Sequence, residues 1–211
     1  MKLSETVRQG GLSTDDAISI LGVIESFLVR RAIAGHEPTG LHSVFKRLWL
    51  DCAGAPNAAL VVRKIRDHKT VAWPGPKDVE AAILSRPLYG TSVTGHILME
   101  WNRSLGGDQP RVEPWIEHVL PVKPDKGWFD SFKPEQHEKM KDFLANLLPL
   151  SQEMNQSLGC SLYSVKRPVY EKDSGFKAAR SFAEQFAEWN PETLQHRSEE
   201  LAAWVISRWT Y

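Results

Sequence analysis

The sequence predicts a mainly α-helical protein with a small embedded β-hairpin. Apolar residues recur at helical spacing over several segments, and capping residues, glycine or proline bound most of these segments. Two short stretches, WIEHVLPV at 115–122 and NLLPLS at 146–151, have instead the composition of strands. The chain has no internal repeat and no low-complexity segment, which excludes solenoid and disordered-linker architectures.

Helices are expected throughout the N-terminal half. They cover about residues 14–34, 41–54, 57–69, 77–86 and 92–104. The first begins at a capping box formed by Ser13 and Asp16 and ends at Gly35, which offers a C-cap. The stretch TVAWPGP then interrupts the helical pattern between the third and fourth helices.

The Gly/Pro-containing segment GGDQP at 106–110 predicts the main division of the chain. Residues 1–108 are expected to form a helical region that packs on a second part, residues 109–211. The second part is expected to hold the two strands with a helix between them, and Ser151 caps the helix that follows. The intervening helix and the last two cover about residues 134–145, 175–188 and 191–209.

Composition restricts the possible functions. The 26 basic and 26 acidic residues cancel, so binding to DNA would require a local basic patch. The two cysteines, Cys52 and Cys160, show no CxxC spacing, so any metal must be held by oxygen or imidazole. The chain has neither an apolar run long enough for a membrane span nor a secretory signal, which predicts a cytoplasmic protein that does not bind membranes.

Glu117 and His118 stand side by side inside an apolar, β-prone segment, where polar groups are costly unless they are paired. Phosphodiester hydrolysis needs a base to activate water and a cation to neutralise the phosphate. An imidazole is largely neutral at cellular pH and suits the base, whereas a carboxylate is a preferred ligand of Mg²⁺ or Mn²⁺. Adjacent strand residues point to opposite faces, so both can serve one site only if the strand bends or ends there.

The segments EHVLP, ANLLPLSQEMN and SVKRPVY resemble the HNH (His-Me finger) nuclease motif in the C-terminal domain of GmrSD-type modification-dependent restriction endonucleases. FLVRRAIAG at 27–35 and WNPETLQHRSEELAAWVISRW at 189–209 are similar to the helical flanks of that domain. The resemblance implies a ββα-metal motif surrounded by helices. It also implies metal-dependent cleavage or nicking of DNA, in defence against phage or foreign DNA.

The resemblance implies specific roles for five residues, His118, Asn146, Glu117, Asn155 and Lys166. His118 would be the general base, and Asn146 would complete the catalytic set by fixing the loop that carries it. Glu117 and Asn155 would bind one divalent metal, Mg²⁺ in the first place and Mn²⁺ as the alternative. Lys166 would lie near the scissile or an adjacent phosphate. Independently of the resemblance, Lys166 and Arg167 form a local basic pair that is expected to contact DNA phosphates.

The sequence also departs from the common pattern. Asn155 stands where a second histidine is often found, and the cysteine pairs of a structural zinc site are missing, which favours a single Mg²⁺-type site. Full-length members carry an N-terminal nucleotide-hydrolysing domain that senses modified DNA, and residues 1–110 do not resemble it. The expectation is therefore either a fragment or a relative that works with a separate NTPase or modification-sensing subunit.

Plainer interpretations remain open at this point. Glu117 and His118 are alternatively a hydrogen-bonded structural pair, Asn146 a turn residue and Asn155 an exposed helix residue. The whole domain would then be a non-catalytic module that binds DNA or docks onto a partner. Structural and DNA-contacting roles compete evenly for Arg30, Arg31 and Arg197, and Trp128 is the one tryptophan that is a candidate for DNA contact.

Overall fold

A computed structural model describes residues 2–108 and 113–211 and confirms the predicted class, mainly helical with one small sheet. Within the described ranges, no helix is long and apolar enough to cross a membrane. The chain folds into two compact units, one ending at Ala82 and including Ile206–Tyr211, the other Ile83–Val205. The helices are α1 (Lys2–Arg8), α2 (Thr14–Ala34), α3 (Leu41–Asp51), α4 (Ala58–Arg66), α5 (Pro76–Ser85), α6 (Thr94–Ser104), α7 (Pro134–Met140), α8 (Gln152–Leu158), α9 (Tyr163–Asp173), α10 (Lys177–Gln185) and α11 (Pro191–Arg208).

The first unit is built on α2, whose ends are those predicted. The Ser13 hydroxyl accepts a hydrogen bond from the Asp16 backbone N–H at 3.0 Å, and Gly35 ends the helix with a left-handed φ of 79°. The apolar face of α2 packs with α3 and α4 around a common core. That core contains Ile20, Val23, Phe27, Val44, Leu48, Cys52, Val61, Ile65 and Val71.

The paired arginines of α2 have structural partners. Arg30 donates from Nε to the Trp209 carbonyl at 2.6 Å, and Arg31 donates to the Ala72 and Glu37 carbonyls, both at 2.7 Å. Both side chains are buried, and burial lowers the pKa of each guanidinium. These arginines connect loops to the helix. Their contacts therefore favour a structural role over the DNA-contacting role that the sequence also left open.

The second unit contains the sheet. Strand β1 (Trp115–His118) pairs antiparallel with β2 (Leu147–Leu150), and His118 lies opposite Leu147 at the end of the ladder. All four residues of β2 are buried, because α6 and α10 pack against this strand. Helix α8 follows β2 directly and contacts β1, so two antiparallel strands and one helix form a continuous substructure.

Some elements differ from the prediction. Helix α7 ends at Met140, because the chain turns at Asp142 to pair with residues 87–89: the Leu88 N–H donates to the Asp142 carbonyl at 2.8 Å. Short 3-10 helices occupy Lys126–Asp130 and Leu144–Asn146. Helix α9 was not predicted, since Pro168 lies inside it and proline disfavours a helix interior.

The two compact units do not coincide with the predicted division at 108/109. Helix α6 packs against β2 and α10 and therefore belongs to the unit that contains the sheet. The predicted boundary falls on GGDQP, of which Gln109 and Pro110 lie outside the described residues. The division into residues 1–108 and 109–211 stays a prediction.

Candidate functional site

Asn146 anchors the loop that follows β1. Its Oδ1 accepts from the Leu120 backbone N–H, and its Nδ2 donates to the Leu120 carbonyl, both at 2.8 Å. Nδ2 also donates to the Lys141 carbonyl at 2.7 Å, and Trp189 Nε1 donates to Oδ1 at 3.1 Å. The side chain is fully buried, so Asn146 is placed to set the course of the chain just after His118 rather than to reach a substrate.

Arg197 holds the start of β2 in place through hydrogen bonds to backbone carbonyls. Its guanidinium donates to the Ala145 carbonyl and, at 3.2 Å, to the Leu147 carbonyl, and its Cζ lies 4.6 Å from the centre of the Phe182 ring. Burial lowers the pKa of Arg197 to about 10, which still leaves it a cation at neutral pH. The contacts of Arg197 therefore also favour a structural role over a DNA-contacting one.

The Glu117 carboxylate receives three hydrogen bonds inside the second unit. Oε1 accepts from Lys166 Nζ at 2.7 Å and from the Tyr170 hydroxyl at 2.6 Å. Oε2 accepts from Asn155 Nδ2 at 3.0 Å. Only 3% of Glu117 is exposed, and this burial raises the pKa of its carboxyl although the neighbouring Lys166 opposes the rise.

Lys166 holds both the carboxylate and the backbone of the site. Besides its bond to Glu117, Nζ donates to the carbonyls of His118 at 2.8 Å and Val119 at 3.2 Å. The residue is fully buried, and burial lowers the pKa of its ammonium group. This geometry gives no support to the predicted phosphate contact of Lys166, because its three donor sites point to protein oxygens.

His118 lies between two residues that the sequence did not single out. Its Nε2 is 3.0 Å from Asp142 Oδ1, and the Tyr89 ring meets the imidazole edge to face with centroids 4.2 Å apart. Burial lowers the pKa of His118, and the bond to Asp142 acts in the opposite direction. The net direction favours the neutral imidazole, which is the form able to accept a proton.

A groove of about 390 Å³ opens at the end of β1. His118 is 9% exposed, and it lines this groove together with Glu117 and Asn155. The structure therefore brings three of the predicted residues to one surface. The other groove residues are Tyr89, Trp115, Ile116, Pro121, Val122, Lys123, Gly159 and Cys160.

Two side chains at this groove, Glu117 and Asn155, carry oxygen atoms of the kind that a divalent cation would need. Each carboxylate oxygen can take two partners, and Glu117 Oε2 accepts one hydrogen bond, from Asn155. Asn155 Oδ1 would be the second protein oxygen, since Mg²⁺ commonly uses few protein ligands with water and substrate phosphate completing its shell. Within the described parts of the chain, no group of three or more His, Cys, Asp or Glu side chains could hold a metal ion, so a cation here would depend on water and substrate oxygens for most of its ligands.

Two candidates for DNA contact, Arg167 and Trp128, do not line this groove. Arg167 donates from Nε to the Ala183 carbonyl at 2.9 Å, with Nη2 3.8 Å from Glu171, and about a third of its side chain is exposed. Trp128 is buried, 2% exposed, and donates from Nε1 to the Cys160 carbonyl at 3.2 Å. Trp128 is thus a core residue, and its burial does not favour the DNA contact for which it was a candidate.

Asp142, Tyr170 and Tyr89 were missed by sequence reasoning. Tyr170 follows Lys166 by four residues, and this spacing places both on one face of a helix. An assignment of helix to this stretch would have paired them. Asp142 and Tyr89 carry no such signal, because tertiary structure alone brings them to His118.

One of three comparisons with known proteins gives a match. The sequence model described as "GmrSD restriction endonucleases, C-terminal domain" matches residues 74–204, which is more than half of the chain. No curated protein and no solved structure matches significantly. The matched range includes both strands, α8, α9 and each of the six predicted site residues. The chain belongs to the family of GmrSD restriction endonuclease C-terminal domains.

Proposed function

We propose that this chain is a metal-dependent DNA endonuclease of the HNH type, with the ββα-metal motif formed by β1, β2 and α8. One observation carries the proposal: His118, Glu117 and Asn155 line the same groove at the end of β1. Family membership supports a nuclease connected with restriction. The proposal includes a biological role, which rests on the same family membership. The chain would be the effector of an anti-phage system and would act with a modification-sensing NTPase partner.

In this mechanism His118 is the general base. Its lowered pKa keeps the imidazole neutral near pH 7, so it can take the proton of the attacking water. Glu117 and Asn155 would hold one Mg²⁺ or Mn²⁺, which when bound neutralises charge on the phosphate and the departing 3′ oxygen. Asn146 and Lys166 keep the backbone at His118 and just after it fixed through their bonds to Leu120, His118 and Val119.

A plasmid-nicking assay with Mg²⁺ tests the proposal. His118→Ala is expected to lower the rate by about 10² to 10⁴, the usual contribution of a positioned base. His42→Ala is the matched control, because His42 is an exposed residue of α3 outside the matched range. Wild-type protein that leaves supercoiled plasmid intact with either Mg²⁺ or Mn²⁺, on modified and unmodified DNA, would refute the proposal.

One observation favours the non-catalytic alternative, in which the domain binds DNA or docks onto a partner. Glu117 is already paired with Lys166 and Tyr170, as a purely structural carboxylate would be. The two interpretations differ in metal binding. Calorimetry with Mn²⁺ should give a binding heat that Asn155→Ala weakens if the site is catalytic, and no heat if Glu117 has only a structural role.

A further inference from the structure

Two residues, Asp142 and Tyr89, contact the His118 ring from two sides, and hydrogen bonds join their backbones. Asp142 contacts Nε2 at 3.0 Å, and Tyr89 packs against the ring. The backbone joins these two residues: the Tyr89 N–H donates to the Asp142 carbonyl at 3.2 Å, and Pro87 bridges to Phe143. Asp142 and Tyr89 therefore reach the ring as one local structure, although they are far apart in sequence.

The chemistry of this contact determines the tautomer of the ring. An ionised carboxylate only accepts hydrogen bonds, so a 3.0 Å contact with Nε2 requires a proton on Nε2. A neutral imidazole carries one proton, and its lone pair is then on Nδ1. Without a fixed acceptor at Nε2, both tautomers would be populated and part of the protein would present the wrong nitrogen.

We propose that Asp142 is a positioning residue that holds His118 in the Nε2–H tautomer, so that Nδ1 accepts the proton of the attacking water. This proposal rests on the proposed nuclease function for the step itself, whereas the tautomer does not depend on it. In the step, the water oxygen bonds to phosphorus and its proton passes to Nδ1. The P–O3′ bond breaks, its electron pair leaves with O3′, and the imidazolium that results has its Nε2–H directed at the Asp142 carboxylate.

The tautomer can be measured directly by long-range ¹H–¹⁵N NMR on the wild-type protein, without metal or DNA. At a pH where the imidazole is neutral, Nδ1 of His118 is expected to be the unprotonated nitrogen. Asp142→Ala should redistribute the proton between both nitrogens. The matched control is Glu138→Ala, which removes a carboxylate that contacts His137 and Lys141, and it should leave the His118 signals in the same tautomer.

Kinetics separate positioning from a merely structural role. Asp142→Ala is expected to lower kcat at least about tenfold, but by less than His118→Ala, with KM for plasmid little changed. Asp142→Asn retains an acceptor oxygen and should recover part of the lost kcat. A proton on Nδ1 of wild-type His118, or wild-type kcat and tautomer in Asp142→Ala, overturns the proposal. Absence of wild-type nicking together with the Nε2–H tautomer would instead refute the nuclease function and its proton-transfer step.

Discussion

Replacing Lys166 by methionine tests the buried ion pair on which the site is built. The substitution keeps most of the side-chain volume and removes the charge together with the bonds to Glu117, His118 and Val119. The Glu117 carboxylate then remains buried with hydrogen bonds from Tyr170 and Asn155 but without a countercharge. The variant therefore isolates what the lysine contributes to the folded state.

Breaking a buried pair from one side costs about 3–5 kcal/mol, mainly because an uncompensated charge is left in the interior. For a chain of this size that loss corresponds to a fall in Tm of about 6–20 °C. The cost should depend on pH. Without Lys166 the folded-state pKa of Glu117 lies still further above its unfolded value, so the stability that the carboxyl contributes is present at low pH and is lost as pH rises through the folded pKa.

Urea unfolding followed by circular dichroism at pH 8 and pH 5 measures these effects. Lys166→Met is expected to lose more stability at pH 8 than at pH 5. Lys177→Met is the matched control, because Lys177 and Glu184 form a surface pair 4.0 Å apart whose loss should cost less than about 1 kcal/mol. A loss in Lys166→Met as small as that of the control at both pH values would refute the assigned role of the pair.

Three further outcomes are expected. Because burial lowers the pKa of His118, the acid limb of a pH–rate profile for kcat should have its midpoint below pH ~6.5. A midpoint above that value would contradict the buried environment of His118. Asn155→Ala should raise the Mg²⁺ concentration needed for half-maximal nicking by about 10- to 100-fold while leaving the melting curve nearly unchanged. An unaltered Mg²⁺ titration would exclude Asn155 as a metal ligand. Asn146→Ala should cost about 2–4 kcal/mol in urea unfolding, since the buried Leu120, Lys141 and Trp189 groups lose a partner; a loss under about 1 kcal/mol would show that the loop does not depend on it.

Local signals in the sequence were sufficient for most elements. The capping residue Ser13 and the C-cap Gly35 indicated the ends of α2, and Ser151 indicated the start of α8. Composition indicated the two strands, and the paired Glu117 and His118 indicated a candidate site, which stays a prediction. The predictions of the helix ends and the strands succeeded because caps, periodicity and strand composition act over a few residues, within the reach of a sequence pattern.

The partners of the site residues depended on contacts between distant segments. The sequence suggests that Lys166 is a surface cation beside Arg167. The fold instead buries it against Glu117, 49 residues away in sequence. The Asp142 carboxylate reaches His118 because α7 ends early and the chain turns to pair with residues 87–89. Burial and charge pairing are properties of the assembled core, so the same lysine or aspartate can be exposed or buried without any change in its local sequence.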